Sequence, residues 1–286
     1  MSRIWLVTGA ARGIGAEMVK AAVAAGDRVV ATGRNREQIE RTFAGSGDRV
    51  LALALDVTSE AQALAAVETA VGGFGRIDVL VNNAGYGQLG AFEENSVEEI
   101  ERQFATNVFG LMHVTRAVLP VMRRQRSGRI FNLSSVGGVI GFPAASLYCA
   151  TKFAVEGFSE SLALEVAQFG IKVTIVEPGF FRTDFLEASS IRYGSRVIED
   201  YAASSSATRA NYEEHNQRQA GDPAKLAAVL VTLAGTAEPP LRYAAGSDSA
   251  GWILEKSVAL GREVERWRAL SVSTDFAAEP EVQAAV

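Results

Sequence analysis

Short runs of apolar, often β-branched residues recur along this chain, each followed by a stretch long enough for a helix, and that alternation leaves few folds open. The runs lie at 4–7, 28–31, 50–54, 79–81, 129–132 and 173–176, with a further one at 241–244. They show little polar alternation, as strands do when both faces of a parallel sheet are covered. Helix-length segments fill the intervals at 13–25, 59–71, 97–124 and 147–169. The expected fold class is α/β, a doubly wound parallel sheet flanked by helices and built from βαβ units.

One such domain accounts for the whole chain. Its 286 residues suffice for a substantial core, and neither repeats nor a linker divide them. Residues 1–270 are expected to form the domain. Ser96 is placed to cap the helix over 97–124, with Glu98 and Glu99 in the positively polarised first turn. From about 184 to 221 the pattern weakens into small and polar residues, and a stretch that long is expected to be an irregular loop over the substrate. Asp222-Pro223 then starts a helix over 224–234. A charged helical segment covers 255–268, and residues 271–286 are expected to form a flexible tail.

Composition closes off several functions. Apolar residues make up 48% and charged residues 21%, with a net charge of −5, so there is no footprint for nucleic acid or an anionic membrane. Cys149 is the only cysteine, and the two histidines, His113 and His215, lie far apart, which argues against a disulfide framework and against a metal site. The first residues carry only a short apolar run, and no run approaches a membrane span, so a cytoplasmic location is expected.

The first strand leads straight into Thr8-Gly9-Ala10-Ala11-Arg12-Gly13-Ile14-Gly15, and a helix follows. Glycines there let the backbone turn tightly and approach a pyrophosphate, which the next helix's amides can bind. The spacing alone is a weak signal, open to a structural turn with chance glycines; its position between first strand and first helix makes it strong. Further along stand Asp56-Val57 after the third strand, Asn82-Asn83-Ala84-Gly85 after the fourth, Asn107 in a helix, Ser135 after the fifth, Tyr148-x-x-x-Lys152, and Pro178-Gly179 with Thr183. In this set and order the sequence resembles the short-chain dehydrogenase/reductase family, the branch with TGxxxGxG and YxxxK, closely over residues 3 to 183 and loosely beyond. The resemblance implies a single-domain Rossmann-type fold that binds a nicotinamide cofactor and pairs into homodimers or homotetramers. Gly9, Arg12, Gly13, Ile14 and Gly15 would face the phosphates. Asp56 and Val57 would contact the adenine side, with Ala84 and Gly85 along the adenosine. Asn82 would stabilise the central strand, and Asn83 reads as simple turn chemistry. Pro178 and Gly179 supply a bend below Thr183, whose hydroxyl would bind the nicotinamide carboxamide.

In NAD sites an acid after the second strand accepts from the ribose 2′-hydroxyl. Here Gly33 stands in that place and Arg34 follows. Nothing repels a 2′-phosphate, and Arg34 with Arg12 offers it paired donors, so NADP(H) is expected over NAD(H). The bland alternative makes both arginines solvated surface residues.

Tyr148 and Lys152 share one helix face. A tyrosine hydroxyl loses its proton at roughly pH 10, and a nearby ammonium lowers that value, so the phenol can serve as general acid in reduction and base in oxidation. A surface pair is the ordinary reading of the spacing alone. Ser134 and Ser135 follow a strand at its carboxyl end, where ligands bind in open α/β sheets. By the resemblance, Ser135 would hold the substrate oxygen and Asn107 would hold a water linking Lys152 to solvent; otherwise Asn107 is a satisfied polar side chain. Ser134 reads as structural, and Cys149 as packing.

The expected activity is direct hydride transfer between nicotinamide and a ketone, aldehyde or secondary alcohol, with Tyr148 as general acid/base. A catalytically silent cofactor-sensing regulator and an isomerase or dehydratase on the same fold are the alternatives. Phe180, Phe181, Phe185, Leu186, Ile191, Tyr193 and Tyr201 make a hydrophobic small-molecule substrate the expected partner, though they are as well suited to packing their own loop.

Overall fold

Trp5 and Val7 belong to one buried cluster and Leu6 to another, so this first strand presents apolar groups to both faces of a sheet. Val29 and Ala31 against Val30, and Val79 and Val81 against Leu80, divide the same way. A helix layer must therefore cover each side.

The computed structural model describes residues 2–187 and 190–276. The chain runs through β1 (Ile4–Val7), α1 (Gly13–Ala24), β2 (Arg28–Gly33), α2 (Arg36–Thr42), β3 (Val50–Ala54), α3 (Glu60–Phe74) and β4 (Val79–Asn82). It continues through β5 (Gly87–Leu89), α4 (Val97–Phe104), α5 (Gly110–Gln125), β6 (Gly128–Leu133), α6 (Ser146–Val166) and β7 (Ile171–Pro178). The last part holds β8 (Ile191–Tyr193), α7 (Ala202–His215), α8 (Pro223–Gly235), β9 (Arg242–Ala245) and α9 (Ser247–Val272).

Seven strands form one sheet in the order β3-β2-β1-β4-β6-β7-β9, and all of its pairs are parallel. This is the expected single-domain Rossmann-type fold. Leu226, Ala227 and Leu230 of α8 share a cluster with Met18, Val19 and Ala22 of α1 on one face. Residues from α3, α5 and α6 cover the other. The strand order reverses between β1 and β4, which opens a crevice at their carboxyl ends. Asn82 locks that centre: its Nδ2 donates to Thr115 Oγ1 and Asn132 Oδ1, each at 2.8 Å, and Asn132 Nδ2 donates to Ser159 Oγ at 2.8 Å.

The caps are as the sequence predicts. Ser96 Oγ accepts from Glu99 N at 3.3 Å, and Glu99 answers by accepting from Ser96 N at 2.8 Å. Asp222 accepts from Ala224 N at 2.9 Å, ahead of Pro223 in the first turn of α8.

Three expectations need correction. The helix expected over 97–124 is broken by a π-helical turn, Ala105–Phe109, between α4 and α5. The segment 184–221 is not an irregular loop: β8 pairs in parallel with β5, and α7 occupies most of the rest. Small residues at 202–208 obscured α7, which has no buried residue and packs against the apolar cluster beside β8 with Tyr212. The tail does not begin at 271, since α9 reaches Val272; residues 277–286 lie outside the described residues. Among the described residues, no helix is long and apolar enough to cross a membrane.

Candidate active site

The glycine turn is held by the loop after β4. Thr8 Oγ1 accepts from the amides of Asn83 and Ala84, both at 3.0 Å, and Asn83 Nδ2 donates to the carbonyls of Thr8 and Gly9, also at 3.0 Å. Asn83 is therefore a brace for the turn, beyond ordinary turn chemistry. The packing explains two glycines. Gly9 has φ +63°, and a Cβ there would fall 2.9 Å from Ala84 Cα; one at Gly15 would fall 2.3 Å from Gly9 O. Helix α1 starts at Gly13 with no side-chain cap and no acid in its first turn. Its leading amides have no side-chain cap, and such a donor set fits an anionic pyrophosphate.

The expected adenosine-side residues are less united. Arg34 is exposed just past β2. Arg12 engages Ser190, donating from Nη2 to its Oγ at 2.7 Å. Asp56 accepts from Thr58 N at 3.0 Å and Thr58 Oγ1 at 2.8 Å, closing its own turn, while Val57 is buried under Gly110. Thr183 faces the glycine turn, with its Cβ 3.5 Å from where a Cβ of Gly13 would stand. Pro178 ends β7, and Gly179 N donates to Ala245 O at 2.9 Å. Asp248 at the start of α9 fixes that bend by accepting from Phe180 N at 2.8 Å. Asp248 was not foreseen; its partner is remote in the chain, and only its place in the first turn of a helix marks it.

Ser135, Tyr148 and Lys152 meet where β6 ends. A Cβ on Gly137 would lie 3.4 Å from Tyr148 Cε1 and 3.5 Å from Ser135 Oγ, so one bare backbone position separates the two side chains. Ser135 Oγ also accepts from Gly137 N at 3.1 Å. Lys152 Nζ donates to Leu133 O at 2.7 Å and lies 5.7 Å from the centre of the Tyr148 ring. Burial pushes the Lys152 ammonium down to about 8, opposed by the charge of Glu156. Burial also raises Tyr148, against a hydrogen bond with Ser135 that lowers it. Desolvation is the largest influence on the phenol, and its direction is opposite to the lowering expected from a neighbouring ammonium and a bound oxidised nicotinamide.

Asn107 belongs to the same group at one remove. Its Oδ1 accepts from Tyr86 N at 3.1 Å, and its Nδ2 donates to Tyr86 O at 2.9 Å and Thr151 Oγ1 at 3.2 Å. Thr151 in turn donates to Tyr148 O at 2.7 Å. The π turn around Asn107 puts its amide inside the fold instead of along the helix surface. Asn107 therefore touches the residue before Lys152, with no direct bond to Lys152 among those present.

Above Tyr148 lies an apolar wall. Phe185 packs on its ring at 5.8 Å between centroids, and Phe142, Leu186, Ile191 and Tyr193 complete the cluster with Tyr212 of α7. Phe142, Phe180 and Trp252 of α9 meet edge to face at 5.9–6.5 Å. Phe181 turns away into the main core, and Tyr201 donates to Glu93 at the surface. Cys149 is buried in the wall, as a packing residue would be. Sequence reading missed Tyr212 and Trp252, which come from helices too far along the chain to be assigned to this wall.

Fold and site together define a Rossmann-type α/β protein with its polar groups gathered at the switch point of the sheet. The profile of the short chain dehydrogenase family matches residues 3–193. "Oxidoreductase BOA17" of Botryotinia fuckeliana is 41% identical, over 96% of this chain and all of that protein. The 3-ketodihydrosphingosine reductase of Bacteroides thetaiotaomicron is 40% identical over 85% of this chain and 88% of its own length. A crystal structure of a short-chain dehydrogenase from Streptomyces avermitilis superposes with a TM-score of 0.89 at 42% identity, covering 96% of this chain and all of that one. This chain belongs to the short-chain dehydrogenase family and is an oxidoreductase of that family.

Proposed function

We propose that this protein is an NADP(H)-dependent oxidoreductase that interconverts a hydrophobic ketone or aldehyde and the corresponding alcohol. The convergence of Tyr148, Ser135 and Lys152 at the end of β6, beside the braced glycine turn, carries this reading. A bound nicotinamide dinucleotide supplies the hydride in reduction and accepts it in oxidation. The amides that open α1 would hold its pyrophosphate, and Thr183, beside the glycine turn, would hold the carboxamide. Ser135 Oγ donates a hydrogen bond to the substrate oxygen. Tyr148 Oη gives that oxygen a proton in reduction and takes it back in oxidation. Burial raises the phenol, so Tyr148 is protonated near neutral pH and would give up that proton only to the charge developing on the substrate oxygen. Lys152 places positive charge beside the ring, and Asn107 fixes the backbone on which both stand.

Gly33 at the end of β2 and the exposed Arg34 beyond it support NADP(H) over NAD(H). The wall of Phe142, Phe185 and Tyr193 supports an apolar substrate, in keeping with a ketone-reducing relative. Exposed Phe153 and Leu164 on α6, with Phe109 beside α5, support pairing of subunits through these helices. Incubation with NADPH or NADH and a panel of apolar ketones tests the reading. Net oxidation of NADPH at a kcat/KM at least tenfold above that with NADH is expected. No turnover on any ketone would overturn the activity, and a preference for NADH would overturn the cofactor.

A further inference from the structure

Helix α9 leaves the domain soon after it starts. Its first turns are rooted: Ser249 Oγ donates to Glu177 O at 2.7 Å, Asp248 accepts from Phe180 N at 2.8 Å, and Trp252 meets Phe142 and Phe180 edge to face. From Leu254 to Val272 every residue is exposed. Among the described residues, no hydrogen bond or ion pair of that stretch reaches the domain. About 27 Å of helix therefore stands clear of the fold. A helix in a protein draws most of its stability from a packed apolar face, so this one needs a partner.

The stretch carries such a face. Ile253, Ser257, Leu260, Val264, Trp267 and Ser271 recur at alternating steps of four and three, which sets them along one stripe. Leu260, Val264 and Trp267 are 46%, 61% and 51% exposed, and a continuous apolar stripe of this kind marks an interaction site. Glu255, Arg262 and Arg266 occupy the opposite side. An apolar period of three and a half residues is the seam of a left-handed coiled coil, and valine alternating with leucine on it favours two strands.

The flanks of the seam indicate what covers it. Glu263 and Arg268 border it on opposite sides, five residues apart. Between two parallel helices that spacing sets Glu263 of one copy against Arg268 of the other, twice by symmetry. Glu263 has no ion pair among the described residues, and Arg268 has only the exposed Glu265 of its own helix, at 2.8 Å. Other covers fit less well. An anionic membrane selects a basic polar face, whereas here Lys256, Arg262, Arg266 and Arg268 are nearly balanced by Glu255, Glu263 and Glu265. Residues 277–286 offer Val282 and Val286 as their only large apolar side chains.

We propose that α9 is a docking surface for a second copy of this chain, whose own α9 lies parallel to it along Leu260, Val264 and Trp267. This contact is separate from pairing through α5 and α6, and it stands whether or not the protein reduces ketones.

Cross-linking of the full chain through introduced cysteines tests it, since the single native thiol, Cys149, is buried. On oxidation, Leu260→Cys on the seam should give a disulfide-linked dimer, and Arg262→Cys on the opposite side should not. Equal cross-linking of the two, or none from Leu260→Cys, overturns the proposal. In sedimentation equilibrium at low salt, Glu263→Arg should weaken association about tenfold, and adding Arg268→Glu should restore it. A double variant as weak as the single one overturns the parallel pairing. All these side chains are exposed, so the fold is not at stake. Two further arms identify a different occupant. Cosedimentation of the wild type, but not of Leu260→Glu, with phosphatidylglycerol vesicles would give the stripe to a membrane. Cross-linking of Leu260→Cys that appears only after residues 277–286 are deleted would give it to that segment. Either result overturns docking of a second copy.

Discussion

Desolvation around Tyr148 makes its hydroxyl hold its proton more tightly, and replacing that hydroxyl isolates its part. Tyr148→Phe keeps the ring against Phe185 and should lower kcat by about 10²-fold or more while leaving cofactor binding near normal. Steady-state kinetics with a fluorescence titration of NADPH check both halves. At the other end of the site, Gly33→Asp should transfer preference toward NADH, because a carboxylate there accepts from a 2′-hydroxyl and repels a 2′-phosphate. The new Cβ would stand 3.4 Å from Ile39 Cδ1, so Ile39 must yield by a few tenths of an ångström. The ratio of kcat/KM values for the two cofactors reads the result. These residues were legible in the sequence because their chemistry is local: a helical spacing for Tyr148 and Lys152, a glycine turn for the phosphates. Asn83 and Asn107 were not legible to the same depth. Their partners, Gly9 and Tyr86, become neighbours only when strands and helices assemble.

Elements differ in how much of their reason lies within themselves. The central strands and α3, α6 and α8 could be read from apolar period and caps, and each appears within a few residues of its expected bounds. The elements β5, β8 and α7 could not, since three-residue strands and a helix of small polar residues acquire their form from one another and from α4. Two carboxylates hold this group in place. Glu94 Oε2 accepts from Ala91 N at 3.0 Å and Ser205 Oγ at 2.7 Å, and Glu99 Oε2 accepts from Ser195 N at 3.3 Å. Glu94→Ala removes a buried acceptor and leaves its donors unanswered, a loss of about 1–3 kcal/mol. Limited proteolysis should then cut between 195 and 210 faster, while hydrogen exchange in β1, β4 and β6 stays unchanged.

At the level of the whole molecule, the buried charges beneath the site act on stability. Glu156 is raised from its ordinary value to about 7, so the folded state holds that proton more tightly than the unfolded chain. Its contribution is full below the unfolded value and disappears as pH climbs through about 7. Lys152, lowered to about 8, does the opposite: the unfolded chain holds the proton more tightly, and the folded state recovers as pH rises from there toward 10.5. Together these groups place a trough in stability between about 7 and 8. Urea unfolding at a series of pH values should show it, and Glu156→Gln should flatten its acidic side.

Strand β9 supplies Arg242, the guanidinium that the buried Glu156–Glu177 pair depends on, and among the described residues it is the last strand to be synthesised. On the ribosome, α6 and β7 emerge well before residue 242, so for that interval two acidic side chains have no arginine to share. The nascent sheet can close over them only with both protonated, or wait open until its final strand arrives. Edge-strand docking and burial of the carboxyl pair are therefore one event, late in the life of the growing polypeptide.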